Sequence, residues 1–195
     1  MARFLILYST IDGHTLTICR RLQAVLEEAA HQVCVQALEA ATEVDLAAFD
    51  KIVIGASIRY GKHRPNVREF IQRNHAVLQQ KHGAFFSVNA VARKPGKAAP
   101  ETNPYVRKFL KGISWQPAAV AVFAGKINYP VYKPLDRAII RVIMWLTGGP
   151  TDPKSVVEFT DWGQVEEFGR RLSRMVVTGS EYRDGGGRTN FGTRV

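Results

Sequence analysis

The chain has 195 residues, 46% of them hydrophobic, which is enough for one good core and most simply a single domain with extensions. Lys and Arg outnumber Asp and Glu by 27 to 17, and the resulting net charge of +10 favours an anionic partner: nucleic acid, a lipid surface or an acidic small molecule. No apolar run reaches the ~18 residues expected of a membrane span. The two cysteines, Cys19 and Cys34, have no metal-ligand spacing and read as small buried hydrophobes of a reduced, cytoplasmic protein.

Residues 3–8 read as a buried strand that begins directly after Met1 and Ala2, so no signal peptide is expected. A short loop of hydroxyls and one glycine follows, and a helix over 14–30 opens behind it, with Leu16, Cys19, Leu22, Val25 and Leu26 at helical spacing. Residues 33–38 form a second strand and 50–55 a third, which ends in Ala56-Ser57-Ile58-Arg59-Tyr60-Gly61. Pro65 opens a helix to about Gln80, residues 84–89 form strand four and 118–124 strand five. Asp161 caps the last helix, which runs to about Val176. Strand and helix alternate, and the strands are continuous apolar runs, as they are when helices cover both faces. The fold class is therefore α/β, a doubly wound five-stranded parallel sheet of order 2-1-3-4-5, whose ligand crevice lies at the carboxyl ends of strands one and three. One domain over 1–177 carries insertions at about 90–117 and 125–157, and the Gly-rich stretch 178–195 is expected to be a disordered tail.

Three groups of residues bear on chemistry. The loop Ser9-Thr10-Ile11-Asp12-Gly13-His14-Thr15 aims backbone N–H groups, hydroxyls and the positive end of a helix dipole at one point, which stabilises a phosphate there. It has one glycine and no Lys before Thr15, so it is neither a dinucleotide fingerprint nor a Walker loop. A carboxylate beside a phosphate repels it, so Asp12 is expected to turn away and cap the helix. The 90–117 insertion is basic, with Arg93, Lys94, Lys97, Arg107, Lys108 and Lys111 against Glu101. It reads either as a solvated loop or, springing as it does from a strand end at the crevice, as a holder of substrate carboxylates through Arg93 and Lys94. The third is a helix over 134–147 with Ile139, Ile143 and Trp145 among its apolar residues and Arg137 and Arg141 as a narrow polar stripe. It is too short to span a bilayer; a membrane interface, a second subunit or the core would each accept it. The five histidines form no metal set; His63 alone could serve as a proton acceptor near the crevice, and it reads more simply as solvated surface. Nucleic acid is disfavoured, because the basic residues are not interleaved with stacking aromatics.

Thr10, Gly13 and Thr15 resemble the FMN-phosphate loop of flavodoxins, with Asp12 in place of a Thr. Taken with Val53-Ile54-Gly55-Ala56-Ser57-Ile58-Arg59-Tyr60-Gly61, Ser87-Val88-Asn89, Val91-Ala92-Arg93-Lys94-Pro95 and Thr160-Asp161-Trp162, the chain from about 3 to 175 resembles the FMN-dependent, menaquinone-linked protoporphyrinogen IX dehydrogenases of the flavodoxin family. That resemblance implies a flavodoxin-like fold, FMN as cofactor, and oxidation of protoporphyrinogen IX to protoporphyrin IX in haem biosynthesis. Electrons would pass to a membrane quinone (menaquinone or ubiquinone), at the cytoplasmic face of the inner membrane. The flavin would be held by Ser9, Thr10, Ile11, Asp12, Gly13, His14 and Thr15, by Ser57, Ile58, Arg59 and Tyr60, and by Ser87, Val88, Asn89 and Ala90. Tyr60 is the one aromatic in the second and third of these loops and either lies against the isoalloxazine or packs on the following helix. Arg93 and Lys94 become candidates for the propionates, and Ile139, Ile143 and Trp145 for contact with the anionic membrane surface. A homo-oligomer stays open, and no catalytic base is assignable. The competing readings are an NAD(P)H:quinone oxidoreductase on the same fold and a flavin-free basic module that binds lipid; a simple electron shuttle is disfavoured by the positive charge.

Overall fold

In a computed structural model of the chain, which describes residues 1–175, the apolar runs form a parallel sheet. Its strands are β1 (Arg3–Ser9), β2 (Gln32–Ala37), β3 (Lys51–Arg59), β5 (Ala84–Asn89) and β6 (Ala119–Ala124), in the order β2-β1-β3-β5-β6. The order is the expected one; an additional two-residue strand, β4 (Lys62–His63), pairs only with the end of β3 and lies off the path. Alternate residues of β1 serve opposite faces. Phe4 and Ile6 pack with helices α1 (His14–Glu28) and α6 (Trp162–Arg174), whereas Leu5 and Leu7 pack with α2 (Pro65–Arg73), α3 (His75–Gln80) and α4 (Pro104–Lys111). Both faces are thus dry, which is why the strands carry no polar alternation.

The expected single helix over 65–80 is two. Asn74 stands between α2 and α3, and its side-chain amide donates to the Phe70 carbonyl (2.9 Å), competing with the helical ladder. The 90–117 insertion is ordered structure: a 3₁₀ turn over Ala90–Arg93 and then α4, whose N-terminus is capped by Asn103 accepting from the N–H groups of Tyr105 and Val106. The second insertion holds β7 (Lys126–Asn128) paired antiparallel with β8 (Val156–Glu158), with α5 (Pro134–Leu146) between them. Asp161 caps α6 as expected, through Gln164 N–H (3.1 Å). Cys34 is exposed, correcting its assignment to the interior, while Cys19 is buried and its thiol is pushed up by desolvation. The stretch expected to be a Gly-rich tail, 178–195, lies outside the described residues.

His63 is not solvated surface. Its ring packs on Phe109 and Phe85 (centroids 4.5 and 5.5 Å), and Nε2 meets Ser87 Oγ at 3.0 Å. Burial pushes its pKa down to about 3. The folded chain keeps the ring neutral, whereas the unfolded chain takes up a proton below ~6.5. The stability this represents is complete above that value and is lost as the pH falls from there toward 3. Between pH 7 and 5, His63→Gln should lose about 2 kcal/mol less stability than the parent protein in denaturant melts. Parallel pH profiles for the two would contradict this.

Candidate cofactor site

The carboxyl ends of β1, β3 and β5 converge on a cavity of about 170 Å³. The first loop closes on itself through Gly13 N–H to Thr10 Oγ1 (3.1 Å). Gly13, at φ +81°, then stands at the N-cap of α1, a left-handed position that favours glycine. No side chain caps this helix, and its first turn contains no acidic residue. Thr15 Oγ1, in the wall of the cavity, is buried and has no hydrogen-bond partner, and among the described residues it is the only side-chain polar atom so left. An orphaned hydroxyl at the positive end of an uncapped helix fits a phosphate, which would satisfy both.

Asp12 turns away from that point, but not to cap the helix. Its carboxylate pairs with Arg59 Nη1 at 2.8 Å, and Arg59 Nη2 pairs with Asp136 of α5 at 2.6 Å. The guanidinium lies over the rings of Tyr60 (5.4 Å) and Tyr132 (5.2 Å), with only 13% of the side chain exposed. Burial would lower its pKa, but Asp12, Tyr60 and Asp136 together outweigh that and hold it above its ordinary value. Tyr60 donates its hydroxyl to Asp136, which with Arg59 keeps that carboxyl below the usual range. Tyr60 and Gly61, at φ +50° and +77°, form the two-residue turn between β3 and β4. The left-handed conformation costs a tyrosine about 1–2 kcal/mol, and the ring ends up at the cavity wall, half exposed, instead of packing on α2.

Thr10, Ile11, Asp12, His14, Thr15, Ser57, Ile58, Arg59, Tyr60, Val88, Asn89 and Ala90 all line the cavity. Gly13 borders a neighbouring one with Lys126 and Asn128. Ser9 and Ser87 do not reach either; they are buried beneath it, Ser9 Oγ 3.4 Å from Asn66 Oδ1 and Ser87 beside His63. The Asn89 amide also points inward: it accepts from Ala92 N–H (3.0 Å) and Asn103 (3.2 Å) and donates to Ser87 (3.3 Å). What remains at Asn89 for a ligand is its backbone. His14 Nε2 lies 2.6 Å from Thr160 Oγ1; because Thr160 donates to the Ala124 carbonyl, the imidazole must be the donor. Burial lowers its pKa, so neutral imidazole prevails.

The propionate candidates are not brought together. Arg93 lines the cavity, but its guanidinium is bonded to the Ala90 carbonyl (2.6 Å) and to both oxygens of Thr147 (3.0 Å each), and Lys94 lies outside the lining. The fourth wall was missed by sequence reasoning. Tyr132, Ile140, Ile143, Met144 and Thr147 supply it from α5 and its approach, with Tyr105 and Ile127 nearby. A helix with apolar residues on more than one face was the available signal. Ile139 (37% exposed), Ile143 (38%) and Trp145 (73%), the candidates for membrane contact, are exposed, and Ile143 also borders the cavity.

A flavodoxin domain model matches residues 5–154. The protein named protoporphyrinogen IX dehydrogenase (quinone) in Escherichia coli (strain K12) is 43% identical over 171 residues, covering 88% of this chain and 94% of that one. A protein of the same name in Leishmania major is 42% identical over 165 residues, covering 84% and 71%. Among solved structures, oxidised flavodoxin 1 from Bacillus cereus aligns with a TM-score of 0.55 over 90% of this chain and all of its own, at 14% identity. An archaeal flavodoxin aligns at 0.50 and 14% identity, over 88% and 96%. At such identities the structures speak for the fold alone.

Thr15→Val removes an orphaned hydroxyl and nothing else. It should weaken FMN binding by about tenfold or more in a fluorescence titration, a hydrogen bond to a charged acceptor being worth about 1.5–3 kcal/mol. The ligand-free protein should be no less stable. Unchanged FMN affinity would mean that the phosphate sits elsewhere.

Proposed function

The chain belongs to the flavodoxin domain family, alongside the proteins named protoporphyrinogen IX dehydrogenase (quinone), and from that premise we propose that it oxidises protoporphyrinogen IX to protoporphyrin IX and reduces a membrane quinone. The single observation that carries the reading into this molecule is the orphaned Thr15 hydroxyl beneath an uncapped helix, at the end of a cavity whose far wall is apolar. The polar end suits the phosphate of FMN, and Ile140, Ile143 and Met144 suit an uncharged macrocycle or quinone ring. FMN, when bound, supplies two-electron redox chemistry, so that one porphyrinogen gives up six electrons and six protons to three quinones. The protein's part is positional and electrostatic. Thr15 and the start of α1 hold the phosphate; the Tyr60 turn and the backbone at 88–90 border the flavin ring; Arg59 neutralises Asp12, which would otherwise repel the phosphate.

The same reading places the protein on an anionic bilayer surface. All three charged side chains of α5 bond to the protein: Asp136 to Arg59, Arg137 to the carbonyls of Tyr129 and Tyr132, and Arg141 to that of Thr151. The outer face is left to Leu135, Val142, Trp145 and Leu146, each more than half exposed. A helix whose charged groups are bonded to the protein and whose outer face is apolar suits the boundary between headgroups and acyl chains, and the net charge of +10 adds attraction to anionic lipid. Among the described residues no helix is long and apolar enough to cross a membrane.

Two outcomes test this reading. Under anaerobic conditions porphyrin fluorescence should grow only when protein, FMN, protoporphyrinogen IX and a menaquinone analogue are all present. Rapid reduction of the flavin by NADPH with no porphyrin formed would instead favour the NAD(P)H:quinone oxidoreductase. The double variant Leu135→Glu/Leu146→Glu should bind anionic phospholipid vesicles at least about tenfold more weakly, since each large apolar side chain contributes roughly 1.5–3 kcal/mol on burial. Sedimentation equal to that of the parent would rule out α5 as the contact.

A further inference from the structure

We infer that Arg93 is a positioning residue that fastens the C-terminal end of α5 against the cavity and so sets the shape of the apolar substrate subsite; the inference rests on the function proposed above. Its guanidinium has a committed set of partners. Nη1 donates to the Ala90 carbonyl, and Nη2 donates to the carbonyl and the hydroxyl of Thr147, the residue that ends α5. The Thr147 hydroxyl in turn donates to the Ile143 carbonyl (2.7 Å), so the bond from Arg93 is passed into the last turn of the helix. One face of the guanidinium lies 5.7 Å from the Phe159 ring. The other side closes on Gly149, where a Cβ would meet Arg93 Nη2 at 2.8 Å and Met144 Sδ at 2.6 Å. The arginine is therefore enclosed by a carbonyl, a hydroxyl, an aromatic ring and a close-approaching backbone, with a cation seated at the negative end of a helix.

The consequence for the site follows from what α5 does there. Ile140, Ile143, Met144 and Thr147 are wall residues of the cavity, and three of them lie within the final turn or so of the helix that Arg93 holds. The other end is held independently by Asp136, through Arg59 and Tyr60. Two arginines from two different cofactor loops thus tie down opposite ends of one helix, and the apolar subsite lies between the ties. Arg93 acts through Thr147 and the helix, and it is not the propionate ligand that its place in the sequence suggests. A lysine cannot replace it, because an ammonium lacks the planar fork that reaches Ala90 and Thr147 together.

The decisive readout is hydrogen–deuterium exchange of the α5 amides, followed in the full-length, flavin-loaded protein. Arg93→Ala and Arg93→Lys should both speed exchange over residues 143–147 by about tenfold or more, the scale of a lost charge-assisted hydrogen bond. Both should raise the KM for porphyrinogen and for quinone together, since both would use the loosened wall. Gly149→Ala approaches the same contact from the other side without removing the charge, and should speed exchange in the same amides. If α5 exchanges at the parental rate in all three variants while only the KM for porphyrinogen rises, Arg93 binds the propionates directly and the inference is overturned. Exchange is measured without turnover, so failure of the proposed reaction and failure of this inference are distinguishable.

Discussion

The guanidinium of Arg59 is the junction on which the site depends. It comes from the end of β3, reaches Asp12 in the loop after β1, and meets Asp136 on α5, all while in contact with two tyrosine rings. Exposed ion pairs contribute little, because water screens them and long side chains lose freedom to form them. This one differs in being largely enclosed, in using the planar fork on two carboxylates at once, and in drawing those carboxylates from separate elements. Without it, Asp12 would stand as a bare negative charge in the loop before α1. Asp136 would keep only Tyr60, whose own turn is held in a conformation tyrosine disfavours. One residue therefore sets the charge of the cradle, the pose of the hairpin and the seat of α5.

That arrangement also explains how a flavodoxin-like sheet can serve an apolar reaction. The sheet and its covering helices are dry on both faces without α5, whose Ile140 and Met144 are buried in a separate cluster with Ile127, Tyr129 and Tyr132. The helix instead sits over the carboxyl end of the sheet with its charges spent on the protein, its inner residues in the cavity wall and its outer residues exposed. A single helix then separates the cavity from whatever covers that outer face. For the poorly water-soluble substrates proposed above, such a wall would be a physical advantage, since an apolar surface borders the cavity.

The architecture was legible in the sequence because burial on both faces leaves an unmistakable trace: uninterrupted apolar strands, most of them separated by amphipathic helices. The turn from β1 into α1 was legible for a similar reason, since Thr10 and Gly13 act locally there. What could not be read were pairings over long sequence separation. Nothing near Asp12 announces Arg59, 47 positions away, and nothing near Arg93 announces Thr147, 54 away. Asp12 was expected to cap a helix, and Arg93 to face a ligand, because charge and position were visible while partners were not. Asn89 misleads in the same way, its amide being used by Ala92 and Asn103 behind the cavity. His63 reads as surface because one imidazole in a basic loop carries no sign of the two phenylalanines that enclose it.

The central claim is that this cavity couples a porphyrinogen to a quinone through a bound flavin, and rapid mixing tests it most directly. FMN-loaded protein is mixed anaerobically with protoporphyrinogen IX alone, and quinone is added in a second mix, with the flavin absorbance followed throughout. The account predicts bleaching of the flavin on the first mix, with porphyrin appearing in step, and return of the oxidised flavin on the second. A flavin that stays oxidised in the presence of protoporphyrinogen would contradict it.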